Sequence, residues 1–169
     1  ENLLELSRIE SVDPQLNLEV FDIRDCVAGA LERLEPQLRE KSLNVETDFP
    51  EEPVMIKADW DRITQVMINL LDNAVNYSKE GGTIEIEIEN RPLDVLVQVT
   101  DHGSGIPRHE TSRIFERFYR VEKSRTRKGG GSGLGLSIVK HIILVHGGHV
   151  DVRSRVGQGS TFFFTLPKR

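Results

Sequence analysis

The stretch of sequence that decides the fold is residues 83–107, TIEIEIENRPLDVLVQVTDHGSGIP. Its first part, Thr83–Glu89, alternates apolar and charged side chains with a period of two, which is typical of a half-buried strand. Asp94–Thr100 is predicted to be the partner strand of a hairpin. The motif Asp101–Pro107 follows directly, so an aspartate and two spaced glycines stand at the end of a strand.

Other helices and strands are predicted on both sides of this hairpin. Asp22 can cap one helix, and Asp59 begins a long one. Helices are predicted over 23–41, 59–77, 111–118 and 134–146, and further strands over 17–23, 43–49, 54–58, 149–154 and 161–166. This order predicts an α+β fold, a two-layer α/β sandwich in which helices cover one face of a mixed, mostly antiparallel sheet.

The composition narrows the possible classes of protein. A chain of 169 residues suits one compact domain, and a net charge of −5 argues against nucleic acid as a partner. A single cysteine, Cys26, cannot form an internal disulfide, which favours a reducing compartment such as the cytoplasm. No apolar run approaches the ~20 residues that a membrane helix requires. The chain starts at Glu1 rather than Met, which suggests a fragment of a longer protein.

Four amide side chains share one side of the helix predicted over 59–77: Gln65, Asn69, Asn73 and Asn76. At ~100° per residue they lie opposite its broad apolar face. Asparagine is a mediocre helix former, so its repetition within a helix needs a reason. A solvated face is the plainer reason. The alternative is that neutral amide oxygens face a polyphosphate and its Mg²⁺ without adding negative charge.

Two glycine-containing segments offer further surfaces for a ligand. In 101–107, the aspartate carboxylate can accept a hydrogen bond from an exocyclic amine of a ligand, and the glycines allow the backbone to approach that ligand closely. The alternative is that the segment is only a tight turn. The segment 129–136, GGGSGLGL, precedes a predicted helix and can present N–H groups to an anion. It lacks the Gly-Lys-Ser/Thr of a P-loop, and it follows the basic stretch 123–128, KSRTRK, rather than a strand. That stretch is either a lid for a triphosphate or a solvated loop.

Five motifs in order resemble the N, G1, F, G2 and terminal boxes of the histidine kinase catalytic domain: NLLDNAVNYS (69–78), DHGSGIP (101–107), IFERFYR (114–120), GSGLGLSIVK (131–140) and GQGSTFFFTLP (157–167). This domain belongs to the superfamily that includes gyrase B, Hsp90 and MutL. The likeness covers nearly the whole chain, and five ordered boxes are far more specific than one. It implies a Bergerat-type ATP-binding domain over 13–169, preceded in 1–12 by the end of the dimerisation-domain helix and a linker.

The resemblance also implies roles in an ATP site. Asn73 matches the Mg²⁺ ligand, Asn69 faces the same ion and phosphates, and Arg120 is a candidate phosphate contact; these three are the expected catalytic residues. Tyr77 is expected to cover the nucleotide, and Asp101 to bind the adenine amine. The other expected ATP-binding residues are Asn76, Gly103, Gly105, Ile106, Gly131, Gly133, Leu134, Gly135, Leu136 and Thr161, the last as a partner near the adenine.

Two asparagines depart from relatives in informative ways. Asn76 stands where many relatives carry a basic group, which can weaken nucleotide affinity or shift that task to a lid residue. Asn69 stands where the ATPases of the superfamily carry a glutamate as general base. Because an amide cannot take the proton, negligible ATP hydrolysis is expected. Phe115 and Phe118 are expected to anchor the base of the lid by packing.

The resemblance therefore implies that the chain binds ATP and Mg²⁺ and donates the γ-phosphoryl group to a histidine, in bacterial two-component signalling. None of the five histidines stands in a motif like His-Glu-x-x-Thr-Pro, so the acceptor is expected on a separate dimerisation domain of the same kinase. A response regulator receiver domain is the second expected partner. The isolated domain is expected to be a monomer, and the whole kinase a homodimer with any membrane anchor upstream. The alternatives are a nucleotide-binding or interaction module that has lost catalysis, or an ATPase or serine kinase of the same superfamily.

Overall fold

The computed structural model describes residues 15–121 and 132–168. The predicted linker segment 1–12 and the basic stretch 123–128 lie outside the described residues. The helices are α1 (Ile23–Glu40), α2 (Trp60–Tyr77) and α3 (Gly135–Val145). The strands are β1 (Leu18–Asp22), β2 (Asn44–Asp48), β3 (Met55–Asp59), β4 (Thr83–Asn90), β5 (Asp94–Asp101), β6 (His149–Arg155) and β7 (Gly159–Pro167).

Five of the strands form one sheet in the order β2-β4-β5-β7-β6, in which only β2 and β4 run parallel. Strands β1 and β3 pair separately as an antiparallel ribbon. Burial alternates along β4, β5 and β7, and the buried face carries the core beneath α2 and α3. The opposite face of β4 carries the charges of Glu85, Glu87 and Glu89. The predicted sandwich with a mixed, mostly antiparallel sheet is confirmed.

Both long helices begin at the predicted aspartate caps. Asp22 accepts a hydrogen bond from the Arg24 N–H at 3.1 Å, and the Arg24 guanidinium bonded to its side chain lowers the pKa of Asp22. Pro36 does not end α1, which continues to Glu40. Among the described residues, no helix combines the length and apolarity that crossing a membrane requires.

The start of α2 is tied to the end of α3 by a buried histidine. The Asp59 carboxylate accepts from the Arg62 N–H at 3.1 Å and caps α2. The Asp59 N–H lies 3.1 Å from Nε2 of His146, whose Nδ1 lies 2.7 Å from the Ile142 carbonyl. These contacts fix the tautomer, with Nδ1–H donating and Nε2 accepting. The two helices that flank the candidate site are thereby held in register.

The helix predicted over 111–118 is wrong. This segment is a series of turns, in which the Glu110 N–H bonds to the Pro107 carbonyl and the Arg113 N–H to the Glu110 carbonyl, three residues back in each case. Ile114 and Phe115 are buried, but Phe118, which a helix would place on the same face one turn later, is 60% exposed. Phe118 has a φ of +60°, which also breaks helical geometry.

Candidate functional site

The exposed side of α2 places its three asparagines in different surroundings. Asn69 is half-buried, and its Nδ2 donates to the Gly135 carbonyl at 3.4 Å, where α3 begins. Asn73 lies one turn further along α2, also half-buried, and its side chain has no hydrogen-bond partner within residues 15–121 and 132–168. Asn76 is exposed and donates to the Asp72 carboxylate at 3.2 Å. The Asn73 amide is thus available to a ligand, whereas that of Asn76 already has a partner.

Asp101 ends β5 on the helix-covered face, where it continues the buried stripe of that strand. It is 3% exposed, and its Oδ1 accepts the Gly103 N–H at 2.9 Å. Burial raises the pKa of Asp101, and the N–H groups of Gly103 and Ser160 partly offset this effect. A buried carboxylate held by backbone donors is a ready acceptor for an amine that enters the site.

The segment that follows Asp101 is packed too closely for side chains at its glycines. A Cβ on Gly103 would overlap the carbonyl oxygen of Tyr77, the last residue of α2. A Cβ on Gly105, whose φ is +69°, would overlap the Arg155 carbonyl oxygen. This segment is therefore held between the end of α2 and the β6–β7 hairpin. The predicted base-binding residues Tyr77, Gly103 and Asp101 are brought together.

The segment before α3 lies against the segment before the basic stretch. Phe118 donates its N–H to the Gly133 carbonyl at 2.9 Å, and Gly133 has a φ of +75°. Leu134 is 2% exposed and Leu136 is partly buried against the core. Phe115 is buried and contacts Phe162 edge to face, as expected of an anchor.

Phe118 does not anchor this segment by side-chain packing, because its side chain is 60% exposed. Its backbone, rather than its ring, makes the bond to Gly133, so the prediction for Phe118 was wrong. Arg120 follows two residues later and is half-buried. Gly131 lies outside the described residues.

The structure separates Thr161 from Asp101. Thr161 lies on the face of the sheet away from the helices, where its hydroxyl pairs with that of Thr100 at 2.8 Å. Its neighbour Ser160 is the register partner of Asp101 and lies on the helix-covered face, 6% exposed. The sequence held this signal, since the apolar alternation Phe162-Phe164-Leu166 places even-numbered residues of β7 inward.

The polar groups form a strip along α2. One end lies where Asn69 contacts Gly135, and the other where Tyr77 contacts Gly103, ~12 Å away at 1.5 Å per residue. An extended nucleoside triphosphate spans this distance. The residues fit such a ligand, with buried acceptors at one end and, at the other, the Asn73 amide beside a helix N-terminus. Lys41 supports the strip by donating its ammonium to three carbonyls at the end of α2, those of Val75, Asn76 and Ser78.

Comparisons with known proteins agree with this geometry. Residues 58–169 match the family model described as histidine kinase-, DNA gyrase B- and HSP90-like ATPase. The sensor histidine kinase WalK of Bacillus subtilis (strain 168) is 39% identical over 168 residues, and the match covers 98% of this chain and 27% of WalK. The chain therefore spans about a quarter of the length of that relative.

Solved structures give the same result. The nucleotide-free catalytic domain of histidine kinase ThkA is 30% identical with a TM-score of 0.80, over 90% of this chain and 99% of that one. Full-length ShkA in complex with AMPPNP is 29% identical with a TM-score of 0.87, and the match covers 98% of this chain and 34% of ShkA. ThkA in complex with the response regulator TrrA is 28% identical with a TM-score of 0.83, and the match covers 99% of this chain and 46% of that one. This chain belongs to the histidine kinase-, DNA gyrase B- and HSP90-like ATPase family and has the fold of a histidine kinase catalytic domain.

Proposed function

We propose that this domain binds ATP with Mg²⁺ and donates the γ-phosphoryl group to a histidine on the dimerisation domain of a sensor histidine kinase. The observation that carries the proposal is the strip along α2, with Asp101 and Gly103 at one end and Asn69, Asn73 and the start of α3 at the other. Family membership supports it. The similarity to ShkA, whose structure contains AMPPNP, supports the choice of nucleotide.

At the base end, the Asp101 carboxylate accepts a hydrogen bond from the adenine amine. Gly103 and Gly105 let the backbone approach the base, and Ile106 and Tyr77 flank it. Because Asp101 is 3% exposed, this hydrogen bond replaces little contact with bulk water and favours a base that carries an amine. Asp101 therefore selects and orients the nucleotide.

At the phosphate end, Asn73 offers its amide oxygen to Mg²⁺ and Asn69 lies beside the same groups, between α2 and the start of α3. Backbone N–H groups of the segment around Gly131, Gly133, Leu134, Gly135 and Leu136 hold the phosphates. Arg120 and the basic stretch 123–128 add positive charge, which also compensates for the uncharged Asn76. When bound, Mg-ATP supplies the transferable phosphoryl group. The chain contributes orientation and charge neutralisation.

The same residues argue against hydrolysis. The side chain nearest the start of α3 on this face of α2 is Asn69, whose amide cannot remove a proton from water. Negligible phosphate release is therefore expected from this chain alone. Because Asn76 is bonded to Asp72 rather than available to the phosphates, a second candidate function is a module that binds nucleotide weakly and serves mainly to contact partner proteins.

The acceptor and the partners lie beyond this chain in the proposal. Residues 1–12 would end the dimerisation helix, and residues 13–169 would form the catalytic domain on the cytoplasmic side. A receiver domain of a response regulator would take the phosphoryl group from the histidine. The similarity to ThkA in its complex with TrrA supports that partner.

The direct test mixes this chain with the purified dimerisation domain of its own kinase and γ-labelled ATP. Acid-labile label on the dimerisation domain, with none on the catalytic chain alone, is the expected result. Steady phosphate release without labelling of the dimerisation domain would instead make the protein an ATPase. Acid-stable label on a serine of a partner would make it a serine kinase, and absence of ATP binding would leave an interaction module.

A further inference from the structure

A row of three polar residues crosses the sheet at the base end of the candidate site. Asp101 on β5 is the register partner of Ser160 on β7, which is the register partner of Ser154 on β6. All three point to the helix-covered face. The row runs from Asp101 on β5 across β7 to the edge strand β6, so Ser154 lies beyond Ser160 when seen from the carboxylate.

The Ser154 hydroxyl contacts three polar atoms. Its Oγ accepts the Ile106 N–H at 2.8 Å, donates to the Gly159 carbonyl at 2.9 Å and lies 2.7 Å from Oγ of Ser160. A hydroxyl has one hydrogen and two lone pairs. With its hydrogen on Gly159, Ser154 can only accept from Ser160. In this arrangement its donor and both lone pairs are satisfied.

This arrangement has a consequence for Ser160. The Ser160 hydroxyl hydrogen points toward Ser154. On the side of Asp101, the Ser160 oxygen therefore presents lone pairs and can act only as an acceptor. A carboxylate and a hydroxyl acceptor would then stand side by side on adjacent strands. Two acceptors bind an exocyclic amine and repel a carbonyl oxygen at the same place on the ligand.

Ser154 also holds the segment that follows Asp101. Its bond to the Ile106 N–H fastens this segment to the β6–β7 hairpin, as does the bond from the Gly157 N–H to the Ser104 carbonyl at 2.8 Å. Gly105 packs between them on the Arg155 carbonyl. Loss of the Ser154 hydroxyl would free Ile106 and release the Ser160 hydrogen.

We propose that Ser154 is a positioning residue for base selection: it holds Ile106 in place and turns the Ser160 hydroxyl into an acceptor beside Asp101. Ser154 itself touches no ligand. The proposal rests on the nucleotide binding proposed above and explains how this chain would distinguish a 6-amino purine from a 6-oxo purine.

The test compares ATP with inosine triphosphate, which carries an oxygen in place of the adenine amine. Both are titrated with Mg²⁺ into the 169-residue chain and its Ser154→Ala, Ser154→Thr and Thr165→Val variants. Thr165→Val is the matched control, because Thr165 also accepts a backbone N–H across β6 and β7, that of His149, but on the other face. Ser160→Ala removes the second acceptor directly, so it serves if Ser154→Ala fails to fold.

The expected result is that Ser154→Ala lowers the preference for ATP over inosine triphosphate by about five- to tenfold, the size of one hydrogen bond. Ser160→Ala should lower it similarly, whereas Ser154→Thr and Thr165→Val should retain it. Equal weakening of both nucleotides by Ser154→Ala, or an unchanged preference in both serine-to-alanine variants, would overturn the proposal. If the unaltered chain bound neither nucleotide, the proposed function itself would fail, so the two failures are distinguishable.

Discussion

Replacing Asp101 with asparagine separates ligand binding from stability at one buried group. The substitution is nearly isosteric, and the Gly103 N–H, 2.9 Å from Oδ1, keeps an oxygen on its own side. The new NH₂ group then faces the ligand, so a donor meets the adenine amine. The loss of a hydrogen bond to a charged acceptor is worth roughly 1.5–3 kcal/mol, which corresponds to ATP affinity about 10- to 150-fold weaker.

The same substitution is expected to stabilise the ligand-free domain at neutral pH. Burial raises the pKa of Asp101 above its ordinary value of 3.8, so the folded state bears a cost for holding the ionised form. As pH falls from the raised pKa of the folded state toward the lower pKa of the unfolded chain, Asp101 is protonated in the folded state but still ionised in the unfolded state. The unaltered chain therefore becomes more stable over this pH range. Asp101→Asn lacks this gain. The stability advantage of Asp101→Asn over the unaltered chain should be greatest above the raised pKa of Asp101 and should shrink as pH falls through that pKa.

The assay pairs calorimetric titration of Mg-ATP at pH 7 with urea unfolding of the ligand-free proteins over a series of pH values. We expect weaker ATP binding together with a higher free energy of unfolding for Asp101→Asn. Unchanged ATP affinity would refute the assignment of Asp101 to the base site. Lower stability at pH 7 would refute the inference from its burial.

Two further substitutions test contacts that hold the site. Gly103→Ala places a Cβ on the backbone oxygen of Tyr77, where no side-chain rotation relieves the overlap. We therefore expect the free energy of unfolding, measured with urea, to fall by about 1–3 kcal/mol, and ATP binding to weaken. Wild-type stability of this variant would contradict the close packing at Gly103. His146→Phe leaves the buried Asp59 N–H without its acceptor and should cost about 1–3 kcal/mol, measured likewise. His149→Phe, at an exposed position, is the control, and equal effects of the two would count against the His146 contact.

Local sequence patterns predicted much of the fold because they depend on neighbours along the chain. The alternation in β4 and β5 reports burial of one face, and the caps Asp22 and Asp59 satisfy backbone groups two or three residues away. The 111–118 segment failed because its apolar residues enter the core from a series of turns rather than along one helical stripe.

The candidate site was predictable in its motifs but not in its long-range contacts. Motif order indicated Asn73 and Asp101, yet the contact of His146 with Asp59 joins residues 87 positions apart and leaves no local signal. The Lys41 ammonium at the end of α2 is equally non-local. Thr161 differs, since strand alternation already placed it away from the helices, and the choice of Ser160 was available from the sequence.

The central claim, a live Mg-ATP site, is tested most directly by calorimetric titration of ATP with and without Mg²⁺. The chain is compared with Asn73→Ala and with Asn44→Ala at an exposed position of β2. We expect binding that requires Mg²⁺, is unchanged in Asn44→Ala and is at least about tenfold weaker in Asn73→Ala, the scale of one charge-assisted contact. Absence of binding to the unaltered chain, or binding indifferent to both Mg²⁺ and Asn73, would contradict it.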